Sequence, residues 1–193
     1  MNKRALLLLL FALLAAVQLA VPARLILAHE AVLATGREFK FRLAPVDPND
    51  PFRGKYITLQ YQHNTFEIPD ARDWKSGGVV YVVLGRDPAG FARIRQVFKT
   101  KPRGGVDYIK TRVSYVALED HKSTLFIDYP FDRYYLEESK ALAAEQAYAA
   151  SVRDTTQVTY ALVNIKDGVA VLKEVLIGGV PVREKVMQAR PQP

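Results

Sequence analysis

Cysteine is absent from all 193 residues, so neither disulfide bonds nor thiolate chemistry is available to this chain. Histidine occurs three times, at His29, His63 and His121, and no two of these stand at the spacing of a metal-binding pair. A structural zinc or a metallohydrolase centre is therefore not expected. Serine is missing from Met1 through Gly54, and Ser76, Ser114, Ser123, Ser139 and Ser151 lie in neither a G-x-S-x-G nor an S-x-x-K setting. A membrane-anchored serine peptidase needs its nucleophile just upstream of the first long patterned strand, where this chain has none. There is no recognisable phosphate loop, no arginine-rich arm and no internal repeat, so the sequence calls for no cofactor and no nucleic-acid partner.

The formal charge of +7 is the other bound. Setting aside Lys3, Arg4 and Arg24 leaves 24 basic against 20 acidic residues, a mild excess that reads as a solvated surface beside anionic headgroups. Hydrophobic content of 49% and charged content of 24% are those of a folded chain. The roughly 160 residues beyond the first apolar segment suit one domain with its own core.

That segment runs uncharged from Ala5 to Ala23 after Lys3 and Arg4, about the length that spans a bilayer as a helix. Val21-Pro22-Ala23 is a poor small-x-small cleavage site, and Leu25 to Ala28 stay apolar after Arg24, so an uncleaved anchor is expected over residues 1–28. His29 to Thr35 can continue the helix until Gly36 stops it. The basic N-terminal tail favours the cytoplasmic side, which would export the body, residues 29–182. Residues 183–193 read as a flexible tail.

Strand patterns fill the body. Glu38 to Leu43 alternates Phe39 and Phe41 with Lys40 and Arg42, and after a Pro-rich turn Lys55 to Tyr61 alternates Ile57, Leu59 and Tyr61 with Tyr56, Thr58 and Gln60. These two runs are expected to pair. Val79 to Leu84 and Phe91 to Phe98 flank Asp87-Pro88-Ala89-Gly90 as a hairpin, and Asp107 to Leu118 and Thr124 to Tyr129 follow as further strands. Leu136 to Val152 is the one soluble helix expected, with Glu137 and Glu138 at its positive end and Arg153 at its negative end. Leu142, Ala143, Gln146 and Ala149 mark its inner stripe. Gln157 to Ile165 and Val169 to Ile177 meet at Lys166-Asp167-Gly168, a strong hairpin signal. About eight strands joined by short turns predict an α+β fold of predominantly antiparallel strands, a rolled sheet or small barrel, with one soluble helix covering an edge and an N-terminal transmembrane helix.

The richest local signal is Asp47 to Tyr61, where two Asp-Pro pairs and Gly54 form a rigid turn leading into the patterned strand. Asp47, Asn49 and Asp50 fit turn chemistry better than a calcium loop, which needs more acids and a late bidentate Glu. Gly54-Lys55-Tyr56-Ile57-Thr58-Leu59-Gln60-Tyr61 resembles the signature of the GDYXXLXY family of bacterial proteins. Gly54, Tyr56, Leu59 and Tyr61 hold the named positions, while Lys55 stands where the pattern has Asp. Thr35 to Glu38, Ala44 to Pro48 and the block Asp128-Tyr129-Pro130-Phe131-Asp132-Arg133-Tyr134-Tyr135 are similar to the same family, and the likeness extends to about Val182. The resemblance implies a membrane-tethered domain on the outer face of the cytoplasmic membrane, considered beside multi-spanning membrane proteins as partners, and it implies no catalytic residues.

The candidate site residues are accordingly the motif, Gly54, Lys55, Tyr56, Leu59 and Tyr61, acting in folding or in partner contact. Strand parity puts Tyr56 and Tyr61 on opposite faces, so at most one of them lines an exposed groove. Trp74, Arg133, Tyr134 and Tyr135 are a candidate aromatic contact surface for a partner or glycan, unless they pack the helix onto the sheet. The reading that follows is a non-catalytic, membrane-anchored periplasmic interaction or assembly module. The alternative is a ligand-binding domain or envelope enzyme with an unrecognised site.

Overall fold

The computed structural model describes residues 3–45, 56–119, 122–154 and 156–188. It opens with α1 (Lys3–Thr35), among the described residues the only helix long and apolar enough to cross a membrane. Its leucines from Leu6 to Leu27 are bare to the outside, and Val32 is its one buried residue. Gly36 ends it and the sheet begins at the next residue.

The strands are β1 (Arg37–Ala44), β2 (Tyr56–Thr58), β3 (Gln60–Tyr61), β4 (Thr65–Ile68), β5 (Val79–Arg86), β6 (Ala92–Phe98), β7 (Tyr108–Glu119), β8 (Lys122–Asp128) and β9 (Arg133–Tyr135). After α2 (Glu138–Arg153) come β10 (Thr159–Lys166), β11 (Val169–Ile177), β12 (Val180–Pro181) and α3 (Val182–Gln188). Every pairing between these strands is antiparallel, as short connections require. One five-stranded sheet has the order β12-β11-β10-β1-β3, and a second has the order β4-β8-β7-β5-β6. The second curls until its edge strands β4 and β6 approach each other, a nearly closed barrel-like sheet. The sheets abut through a parallel bridge from Lys40 to Phe91 and another from Ile109 to Gly168. The α+β, mostly antiparallel architecture is the one the sequence predicts.

The hairpin at Lys166-Asp167-Gly168 shows why its residues are of that type. Asp167 and Gly168 both take positive φ, 51° and 87°, the conformation of a tight two-residue turn. A Cβ on Gly168 would also meet the Tyr108 ring at 2.5 Å, so this position excludes side chains on two grounds.

Several local expectations are corrected. The motif run is not one strand: it divides at Leu59 into β2, which pairs with β9, and β3, which pairs with β1 only at Leu43 and Ala44. Most of β1 pairs instead with β10. Along Asp107 to Leu118 the sequence sets Tyr108, Lys110, Arg112, Ser114 and Val116 against Ile109, Thr111, Val113, Tyr115 and Ala117, but in β7 this alternation fails at Ser114, which is bulged out between Val113 and Tyr115 opposite β8. Strand β4 was not predicted. The inner face of α2 carries Ala144, Tyr148 and Ser151, while of the expected stripe Gln146 is exposed, Ala149 is half-buried, and the side chains of Leu142 and Ala143 lie outside the described residues. A second soluble helix, α3, stands where the tail was expected to begin, packed on α2 with Val182 fully buried.

Candidate functional site

The two blocks that carry the family likeness lie against each other. Tyr56, Ile57 and Thr58 pair with Tyr135, Tyr134 and Arg133 in register. The ladder continues past the break, because the Leu59 amide donates to the Asp132 carbonyl at 2.7 Å. The Tyr61 hydroxyl then donates to the Phe131 carbonyl at 2.7 Å. Residues 70 or more positions apart in sequence are thus stitched from Tyr56 to Tyr61. Ile57, Leu59 and Tyr61 point inward and are almost completely buried.

Behind the seam, Phe41, Tyr61, Tyr129 and Phe131 form one aromatic cluster. Phe41 meets the other three rings edge-on at 5.1 to 5.7 Å, the arrangement that ring quadrupoles favour. The Tyr129 hydroxyl donates to the His63 carbonyl at 2.8 Å, and the Tyr148 hydroxyl reaches the Ala44 carbonyl at 3.3 Å. Burial pushes the Tyr61, Tyr129 and Tyr148 hydroxyls far above their ordinary pKa. These phenols are held neutral as hydrogen-bond donors. None is presented as an acid or base to solvent.

The outward side of the same ladder is different. The Tyr56 and Tyr135 rings lie 5.6 Å apart, and the Arg133 guanidinium sits 5.0 Å over the Tyr56 ring. A hydrogen bond with Tyr135, then the neighbouring Tyr56 and Asp132, raises the Arg133 pKa further above its ordinary value. Tyr135 is 65% exposed. Among the described residues of the seam, Arg133 and Tyr135 are exposed and Tyr56 is half-buried between them.

Tyr134 points the other way. It is buried, its hydroxyl donates to Glu174 Oε1 on β11, and Arg183 Nε of α3 donates to that hydroxyl at 3.3 Å. Arg183 also pairs with Glu174 at 2.9 Å. Burial first, and then the Glu174 bond, pushes the Tyr134 pKa up to about 12. Tyr134 therefore latches β9 to β11 and α3 and is not part of a contact surface. Trp74 is also separate: it packs against the core with the Lys99 ammonium 5.0 Å over its ring, and Lys99 pairs with Asp73. The expected four-residue surface thus divides into an exposed Arg133–Tyr135 pair, a buried Tyr134 and a Trp74 half-buried against the core. Gly54 and Lys55 lie outside the described residues, as do Asp47, Asn49, Asp50 and His121.

Sequence reasoning missed one further site, the junction between α1 and the domain. Asn164, 5% exposed in the middle of β10, donates from Nδ2 to the Leu33 carbonyl at 2.9 Å and so caps the end of α1. Lys166 Nζ donates to Thr35 Oγ1 at 2.7 Å, and the Gly36 amide to the Val32 carbonyl at 2.7 Å. A Cβ at Gly36 would meet the Val32 carbonyl oxygen at 2.4 Å and the Ile165 backbone at 3.1 Å. The signal was there in principle, as an Asn in the otherwise apolar run Ala161 to Ile165. Its partner could not be named without the tertiary structure.

Among the described residues no three His, Asp or Glu side chains converge as a metal site. No curated protein and no solved structure matches the chain. The family model described as GDYXXLXY protein matches residues 18–175, from within α1 to β11. That match takes in both halves of the seam and the capped junction, and with it the chain belongs to the GDYXXLXY protein family.

Proposed function

We propose that the chain is a single-pass, membrane-anchored, non-catalytic interaction or assembly module, with its domain on the extracytoplasmic side of the cytoplasmic membrane and a multi-spanning membrane protein as its partner. The observation that carries this reading is the division of labour in the motif. Its inward residues are consumed by packing and internal hydrogen bonds, while its outward residues form an exposed Tyr56–Arg133–Tyr135 cluster of the kind that anchors protein contacts. The capped junction supports the same reading, because it holds that cluster at a set height and orientation relative to α1. The basic Lys3 and Arg4 before the apolar run favour the exported orientation of the domain.

Two measurements test the proposal. The full chain should stay with membranes after carbonate washing, with its domain open to protease added from outside the cytoplasmic membrane; a domain protected from that protease would overturn the orientation. Affinity capture from detergent-solubilised membranes should recover a membrane protein with the natural chain and lose it with Tyr135→Ala at unchanged thermal stability. Equal capture by both chains would remove the Tyr-Arg-Tyr cluster as the contact.

A further inference from the structure

The charge excess of the domain is concentrated in one place. Residues 93–110 hold Arg93, Arg95, Lys99, Lys101, Arg103 and Lys110 against the single acid Asp107, whereas the other 18 basic and 19 acidic residues beyond Ala28 nearly cancel. Asp107 is itself neutralised by Arg37 at 2.7 Å, and Lys99 is paired with Asp73. Arg95, Lys101 and Arg103 are exposed and have no carboxylate partner among the described residues.

The folded chain brings this loop to the foot of the anchor. A cleft of about 470 Å³ is lined by Thr35, the last residue of α1, together with Arg37, Lys101, Gly104, Asp107 and Lys166. A second, of about 570 Å³, shares Lys101, Pro102 and Val106 with it and adds Arg95 and Arg103. Val106, 43% exposed, stands among these cations as an apolar tip. Thr35 lies seven residues past Ala28, where the apolar run ends, so the helix rise puts the clefts about 10 Å above the hydrocarbon. A headgroup layer is about 5–8 Å deep, and screening extends over roughly 8–10 Å at physiological salt. The loop is therefore within reach of lipid phosphates.

We propose that residues 95–106, the end of β6 and the loop after it, form a membrane-docking surface that engages the anionic phosphodiester headgroups of the leaflet from which α1 emerges. Arg95, Lys101 and Arg103 supply the charge and Val106 enters the interface. Together with the capped junction, this contact fixes the tilt of the domain on the bilayer and hence the direction in which the Tyr56–Arg133–Tyr135 cluster faces. The inference rests on α1 being a membrane anchor and not on which side the domain occupies.

The test uses the full chain in lipid nanodiscs, followed by hydrogen–deuterium exchange of peptides covering residues 95–106. In discs of phosphatidylcholine with phosphatidylglycerol, exchange should slow on the order of tenfold relative to pure phosphatidylcholine, as engagement of a few cations allows, and high salt should reverse it. The triple substitution R95A/K101A/R103A should abolish the difference while the chain still enters the discs. Equal exchange in the two lipids would overturn the docking surface and leave the anchor standing; failure of the natural chain to enter discs would overturn the anchor. A third arm adds inorganic phosphate to pure phosphatidylcholine discs. Protection there would identify a small-anion site and overturn the assignment to lipid.

Discussion

The motif seam and the foot of the anchor are built from opposite materials. At the seam, β2, β3 and β9 are joined by buried rings, inward aliphatic side chains and hydrogen bonds to carbonyls, with the charge of Arg133 kept to the outer side. At the foot, cations crowd an exposed surface over a few buried side chains, Val32, Asn164 and Ile165. Burial gives a region a single arrangement, because each group there loses more when displaced than an exposed group does. Charge in water gives reach with little stability. The comparison teaches that the described inward residues of the signature, Ile57, Leu59 and Tyr61, are fixed by packing, whereas exposed side chains lie on the outer side of the same ladder and at the foot of α1.

The sharpest way to break this comparison is alkaline titration. Tyr61, Tyr129, Tyr134 and Tyr148 all have folded pKa values above the ordinary value of 10. Each contributes stability that is fully present below pH 10 and is lost as the pH rises through its folded value, from about 12 for Tyr134 upward. The domain should unfold cooperatively above pH 10. Tyrosinate absorbance from these four of the ten tyrosines should appear only with loss of the fold. Smooth ionisation of all ten while the fold persists would mean that the seam is open to water.

Leu59→Ala comes next. Truncating a buried leucine in a core of this kind costs about 2–5 kcal/mol, seen as a lowered Tm of the full chain in detergent. Unchanged stability together with lost partner capture would make the motif a contact surface after all.

Gly36→Val probes the other region. Its Cβ has no room beside the Val32 carbonyl, so overpacking should cost about 1–3 kcal/mol and raise hydrogen exchange around residues 32–37 and 164–166, with membrane retention intact. If those peptides exchange as before, the junction is not rigid.

Tyr61→Phe keeps the ring and removes one hydroxyl. The Phe131 carbonyl then lacks its donor, at a cost of about 1–2 kcal/mol in denaturant melts. Tyr135→Ala should be the mildest, within about 0.5 kcal/mol, because the ring is mostly exposed. A Tyr135 loss as large as that of Leu59 would erase the distinction between the two sides of the ladder.

Much of the fold was legible along the chain. The 19-residue apolar run, the Asp-Gly hairpin, the period-2 run of β1 and the continuous apolar run of β5 each state their structure within a few neighbours, because backbone preference and side-chain alternation act locally. The misreadings occur where partners are distant. Ile57, Leu59 and Tyr61 were correctly placed on one face, yet the break at Leu59 depends on the Asp132 carbonyl, which no local pattern announces. Likewise the Ser114 bulge answers the register of β8, and α3 is held by Glu174 and Tyr134 on other elements.

The candidate site divides in the same way. From the sequence alone came the apolar helix long enough to span a membrane, the antiparallel α+β class, the motif residues and the opposed faces of Tyr56 and Tyr61, all set by residue type and spacing. Tertiary structure alone decided that Tyr134 is internal, that Trp74 stands apart, that Asn164 caps the anchor helix and that the basic loop gathers at its foot. The physical reason is that propensity and periodicity act over a few residues, whereas burial, capping and the pooling of charge depend on which distant segments the closed sheets bring together.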